Sequence, residues 1–137
     1  MDPSRMSKRL CLLLKQVAGG VLLATTLVFA IFFALNGEAY FVQGQASHTA
    51  RDYQNAIRKY KRAAYSMDLT DKHLIELFIA RGEAYIGRAE QMCRADRINK
   101  MYRLYGNAAR SFNEALKHDP GNPQADAGLH ALALDCD

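Results

Sequence analysis

The sequence predicts an all-α protein, and three features of its 137 residues carry that reading. Residues 17–35 form a run with no charged side chain. Further along, small and large residues alternate at helical spacing, twice over. Between such stretches stand residues that end helices rather than strands, above all Asp119-Pro120-Gly121-Asn122. With 50% hydrophobic and 23% charged residues the chain has the means to bury a core. The residues beyond the apolar run suffice for one small helical domain, but not for a Rossmann unit or a barrel enzyme.

The N-terminal part reads as a basic arm, residues 1–16, followed by a transmembrane helix, residues 17–35. Nineteen residues rise about 28 Å as a helix, close to the roughly 30 Å of a hydrocarbon core. Arg5, Lys8, Arg9 and Lys15 precede the run against Asp2 alone, and only Glu38 follows it before Arg51. That asymmetry keeps the arm in the cytoplasm and sends the rest across an inner membrane, into the periplasm of a Gram-negative cell. The alternative is a signal peptide cleaved after Gly37-Glu38-Ala39; the length of the run favours an uncleaved anchor. Gly20 and Ala24, and Thr26, Ala30 and Ala34, recur at intervals of four, giving small faces on which another membrane helix can pack, as well as a lipid-facing composition.

The remainder repeats itself. Tyr53, Ala56, Tyr60 and Ala63 share their offsets with Tyr105, Ala108, Phe112 and Ala115, and Gly44 and Gly82 precede the two sets. In each set large and small residues share one helical face, so a neighbouring helix can approach at the small positions. The wording Arg81-Gly82-Glu83-Ala84-Tyr85 and the ending Ala115-Leu116-Lys117-His118-Asp119-Pro120-Gly121-Asn122 resemble the tetratricopeptide repeat, a helix-turn-helix unit of about 34 residues. The resemblance covers residues 37–122 and implies two repeats, residues 36–70 and 71–122, the first lacking the terminal proline. Gly44 precedes Tyr60 by 16 residues and Gly82 precedes Phe112 by 30, so the second unit carries 14 extra residues. Divided between its arms, they lengthen each helix by about two turns. The expected helices are 71–94 and 96–118, with a tip carrying Arg88, Arg94, Arg97, Lys100 and Arg103 against Glu90 and Asp96. Residues 123–137 read as a capping helix, its apolar face formed by Ala127, Leu129, Ala131, Leu132 and Leu134. Gly37 is the expected hinge between the membrane helix and the first repeat.

Chemistry is sparse. His48, His73, His118 and His130 stand apart from one another and from the cysteines, and no metal, haem, nucleotide or nucleophile-elbow motif occurs. The expectation is therefore a non-enzyme without metal or cofactor. Cys93 and Cys136 fall on the exported side, where a disulfide persists in an oxidising compartment; a Cys93–Cys136 bridge and two unpaired thiols are both open. Arg58, Lys59, Lys61 and Arg62 either meet anionic headgroups or form a solvated face. No nucleic-acid reader motif is present.

The resemblance also implies that the first helix of each repeat lines a partner groove, which here holds Glu38, Phe41, Gln45, His48, Glu76, Ile79, Glu83 and Ile86. The Lys and Asn clamp with which chaperone-binding members hold a terminal carboxylate is absent from it. The function expected is a non-catalytic single-pass scaffold, an accessory or assembly subunit of a respiratory, photosynthetic or secretion complex in the bilayer. The alternative is a tethered adaptor that recruits an acidic periplasmic protein through the basic tip.

Overall fold

The computed structural model describes residues 36–66 and 69–132. The apolar run 17–35, with Gly20, Ala24, Thr26, Ala30 and Ala34, lies outside them, as do Cys11 and Cys136. Among the described residues no helix is long and apolar enough to cross a membrane. They form helices only: α1 Gly37–Thr49, α2 Tyr53–Ala63, α3 Asp71–Arg94, α4 Ile98–His118 and α5 Pro123–His130. Each packs on the next along the chain, and α3 also touches α5.

The helix ends follow from local chemistry. Asp52 accepts a hydrogen bond from the Asn55 amide at the start of α2, and Thr70 does the same for His73 at the start of α3. Asn122 accepts from the amides of Gln124 and Ala125, and Pro123 occupies the first helical position of α5. The two hairpin turns are alike. After α1, Arg51 donates to the His48 carbonyl and Asp52 to that of Ser47; after α3, Asp96 donates to Cys93 and Arg97 to Met92. Both are Schellman closures, and the residue in the left-handed region is Arg51 (φ 58°) in one and Asp96 (φ 53°) in the other, where glycine is usual. Because Asp96 and Arg97 serve this turn, α4 begins at Ile98, two residues later than the sequence suggested.

The repeat is visible as a recurring layer in which an aromatic ring lies on a glycine. A Cβ on Gly44 would stand 2.5 Å from the Tyr60 ring, and one on Gly82 would stand 2.6 Å from that of Phe112. Gly128 presses on Phe112 in the same way, at 2.5 Å, so α5 packs as the first helix of a further unit would. Only a residue without a side chain lets the helices close over these rings. Phe112 and Leu77 are fully buried, each burial stabilising by roughly 1.5–3 kcal/mol.

The extra length of the second hairpin is shared equally. Gly44 lies 6 residues before Ala50 and Gly82 lies 13 before Ala95, so the outgoing arm gains seven; Asp52 to Tyr60 is 8 and Arg97 to Phe112 is 15, so the returning arm gains seven. Seven residues are about two turns, so the buried faces stay in register. The added stretch forms its own small core of Ala89, Met92 and Met101, flanked by Cys93, Leu104 and Tyr105. Ala89 and Tyr105 repeat Gly82 and Phe112 one heptad further out.

The face of α5 differs from the expected one. Ala125 is buried and Gly128, Leu129 and Leu132 are half-buried, whereas Ala127 and Ala131 face solvent. The Phe112 ring selects Gly128 for the contact, and that rotates the helix. Leu134 lies outside the described residues.

Candidate binding site

The residues expected to line a groove on α1 and α3 divide between the core and the surface. Phe41 and Ile79 are buried core residues, with Phe41 tilted against Tyr60 at 6.0 Å and His73 at 6.4 Å. His48 stands edge-on to Tyr53 at 5.5 Å and to Tyr60 at 6.4 Å, which makes it part of the α1–α2 packing. Gln45, Glu76 and Glu83 are exposed, as is Glu38, and Ile86 is half-buried. Glu76 faces Lys72 along its own helix at 4.0 Å.

A different surface brings basic residues together. A cleft of about 360 Å³ lies where α2 crosses the second hairpin. From α2 it takes Gln54, Ile57 and Lys61; from α3, Tyr85 and Arg88. From α4 it takes Lys100, Arg103, Leu104 and Asn107. Four of these are cations and none is a carboxylate, while Ile57, Tyr85 and Leu104 supply an apolar floor. Three of the tip residues named from the sequence, Arg88, Lys100 and Arg103, therefore belong to one site. Arg94 and Arg97 do not: Arg94 lies 3.7 Å from Glu90, and Arg97 is exposed at the turn.

Lys61 joins the site because α2 turns its cations to different sides. Lys59 donates to the Gln43 side chain at 2.6 Å and, with Arg62, lies over the Tyr40 ring. Lys61 lies 6.0 Å from the Tyr85 ring on the cleft side. Arg88 donates to Gln54 across helices, at 2.9 Å, and to Gln91 at 2.8 Å. A second cleft, about 280 Å³, adjoins the first through Lys61, Tyr85 and Asn107 and adds Arg81, Arg110, Ser111 and Glu114. Arg81 donates to Ser111 at 3.0 Å and lies over the Phe78 ring. Burial draws the Arg81 guanidinium below its ordinary pKa, against the pull of Tyr85, Glu114 and Tyr65. A hydrogen bond from Lys117 holds Glu114 below the usual carboxylate range.

The sequence pattern does not single out Arg81 and Arg110, and it groups Lys61 with Arg58, Lys59 and Arg62 as facing headgroups or solvent. A signal was present on α4, where Lys100, Arg103, Asn107 and Arg110 recur at steps of three, four and three. Cys93 is disulfide-bonded. The pairing with Cys136 concerns a residue outside the described ones. Among the described residues no group of His, Cys, Asp and Glu is arranged to hold a metal ion.

No protein-family model matches the chain, and no curated protein matches it. Among solved structures, the TPR domain of Arabidopsis OM64 is similar, at 21% identity and a TM-score of 0.34, over 74% of this chain and 97% of that one. The repeated glycine–aromatic layers and matching hairpin turns make the described residues an all-helical stack of hairpins.

Proposed function

We propose that this chain is a non-catalytic, membrane-anchored scaffold that holds other proteins, and that it recruits a soluble acidic partner through the α2–α3–α4 cleft. The observation that carries the reading is the cleft itself, in which four cations and no carboxylate surround an apolar floor. Stacked helical hairpins are rigid platforms whose surfaces, rather than reactive groups, do the work. The anchor rests on the uncharged run 17–35, and the periplasmic placement on the basic residues before it. The small-residue faces of that run support a second reading, an accessory or assembly subunit of an integral-membrane complex such as a respiratory, photosynthetic or secretion assembly. No cofactor or nucleic acid enters either reading.

The test is extraction from native membranes in mild detergent, size-exclusion chromatography, and mass spectrometry of the proteins that co-migrate. An acidic soluble protein that leaves when salt is raised is the expected result. Fixed-stoichiometry co-elution with membrane subunits that survives high salt establishes the second reading instead. Migration of the chain alone refutes both.

A further inference from the structure

We infer that the two adjoining clefts form one groove along α4, and that this groove docks an acidic peptide segment of a protein partner, lying lengthwise between Lys100 and Arg110. The inference rests on the protein-holding role proposed above and adds the second cleft, the peptide form of the ligand and its alignment along α4.

Continuity comes from Lys61, Tyr85 and Asn107, which line both clefts. Length comes from α4: ten residues from Lys100 to Arg110 rise about 15 Å, enough for four or five residues of extended peptide at roughly 3.3 Å each. Charge comes from Lys61, Arg81, Arg88, Lys100, Arg103 and Arg110. Among the described residues none of the six forms an ion pair; the pairs present are Lys72–Glu76, Arg94–Glu90, Lys117–Glu114 and His130–Asp126. The hydrogen bonds of the guanidiniums go to neutral acceptors: Arg88 to Gln54 and Gln91, Arg81 to Ser111, Arg110 to Asn107 and the Gly106 carbonyl. Glu114, the carboxylate at the groove's end, is held by Lys117 at 2.8 Å. Like charges gathered over an apolar floor repel one another, and an incoming carboxylate relieves that repulsion while gaining charge-assisted hydrogen bonds.

The shape selects a peptide over a bilayer. Lys61, Arg103 and Arg110 are exposed and border an open cleft between three helices, about 15 Å long, a span that suits a short extended segment better than a broad flat surface. Apolar Ile57, Tyr85 and Leu104 between the cations match a segment in which acidic side chains flank an aliphatic one.

The probe is a fluorescein-labelled, Glu-rich octapeptide containing two leucines, titrated with the full-length chain in mild detergent and followed by fluorescence anisotropy. Binding is expected to weaken between about 50 mM and about 300 mM salt. Lys61→Glu and Arg103→Glu should each reduce affinity about tenfold or more, while Arg94→Gln and Arg97→Gln, outside the groove, change it less than about twofold. Lys61 and Arg103 are exposed, so the reversals leave the core intact. Lys61→Gln, with a smaller loss and an unchanged thermal midpoint, separates binding from folding. Equal losses at Arg94 and Arg97, equal binding of a Gln-substituted peptide, or no binding overturns the inference. So does displacement of the peptide by phosphatidylglycerol vesicles that need Lys61 equally, which assigns the groove to headgroups. If Lys61→Glu abolishes peptide binding in no degree yet the chain keeps its co-purifying partner, the groove is wrong and the scaffold role stands.

Discussion

Replacing Gly82 by alanine sets two physical effects against each other. In the interior of a helix the change ordinarily stabilises by about 0.5–1 kcal/mol, because glycine loses more backbone freedom on folding. Here the new Cβ would stand 2.6 Å from Cε1 and Cζ of Phe112 and 3.0 Å from Cδ1, well inside the roughly 3.5–4.0 Å at which carbons rest. The ring is 1% exposed, and Gly128 of α5 lies so close to the same edge that a Cβ there would stand 2.5 Å from it, so the ring has no clear direction of retreat. Overpacking of this kind costs about 1–3 kcal/mol, and the net expectation is a loss of about 0.5–2 kcal/mol. For roughly 100 folded residues that is a drop of several degrees in Tm, at about 4–8 °C per kcal/mol. Gly106→Ala is the internal control: it lies within α4 with nothing near its Cβ position, and should gain about 0.5–1 kcal/mol. Urea unfolding of the full chain, followed by circular dichroism, reads both signs. Combining Gly82→Ala with Phe112→Leu removes the ring atoms in conflict and should erase the penalty in a double-mutant cycle. If Gly82→Ala stabilises as much as Gly106→Ala, the aromatic-on-glycine layer is not what sets the distance between α3 and α4.

Two further predictions concern stability. Tyr60 is fully buried, its hydroxyl has no hydrogen-bond partner among the described residues, and its pKa is pushed up to about 12, chiefly by burial and secondarily by Glu83. A phenol that ionises near 10 when unfolded but near 12 when folded contributes stability that is complete below pH 10 and falls between pH 10 and 12, by about 2–3 kcal/mol in all. Tyr60→Phe should keep the fold, match or exceed the wild-type urea midpoint at pH 8 and flatten this alkaline decline; the residual slope belongs partly to Tyr105, raised by burial and Glu90. An unchanged slope would remove Tyr60 from the account. Arg51→Gly and Asp96→Gly, at the positive-φ corners, should each raise stability by up to about 1 kcal/mol, because they relieve a left-handed residue that carries a Cβ. A loss of stability at either site in thermal melts would show that the side chain there does more than occupy the turn.

Much of the helical framework was legible in the chain. The offsets of Tyr53, Ala56, Tyr60 and Ala63 and of their counterparts in α4 record which face each helix buries, since a helix has one period and apolar surface has one place to go. The bounds of α3, residues 71–94, and the equal division of the inserted residues were legible for the same reason: only about two whole turns per arm keep those faces aligned. The shorter elements were less so. Gly128 had no visible meaning until Phe112 lay beneath it, and Asp96 gave no sign that it would close a turn rather than begin a helix.

The binding surface lay further from the sequence still. Periodicity tells which residues of one helix share a face, but not which neighbouring helix covers that face. Phe41 and Ile79 are as apolar as a groove requires, yet both are buried, Phe41 against Tyr60 of α2 and His73 of α3. Arg88, Lys100 and Arg103 are close in sequence and were legible as a basic cluster. Lys61, in another hairpin, meets them only because α2 crosses the second hairpin beside Tyr85. By itself the sequence determined the long helices, the buried faces of α2 and α4 and the repeat, because these depend on local propensity and period. Tertiary structure alone decided where the cations of three helices meet, because that depends on how glycine and aromatic residues set the distance and angle between helices.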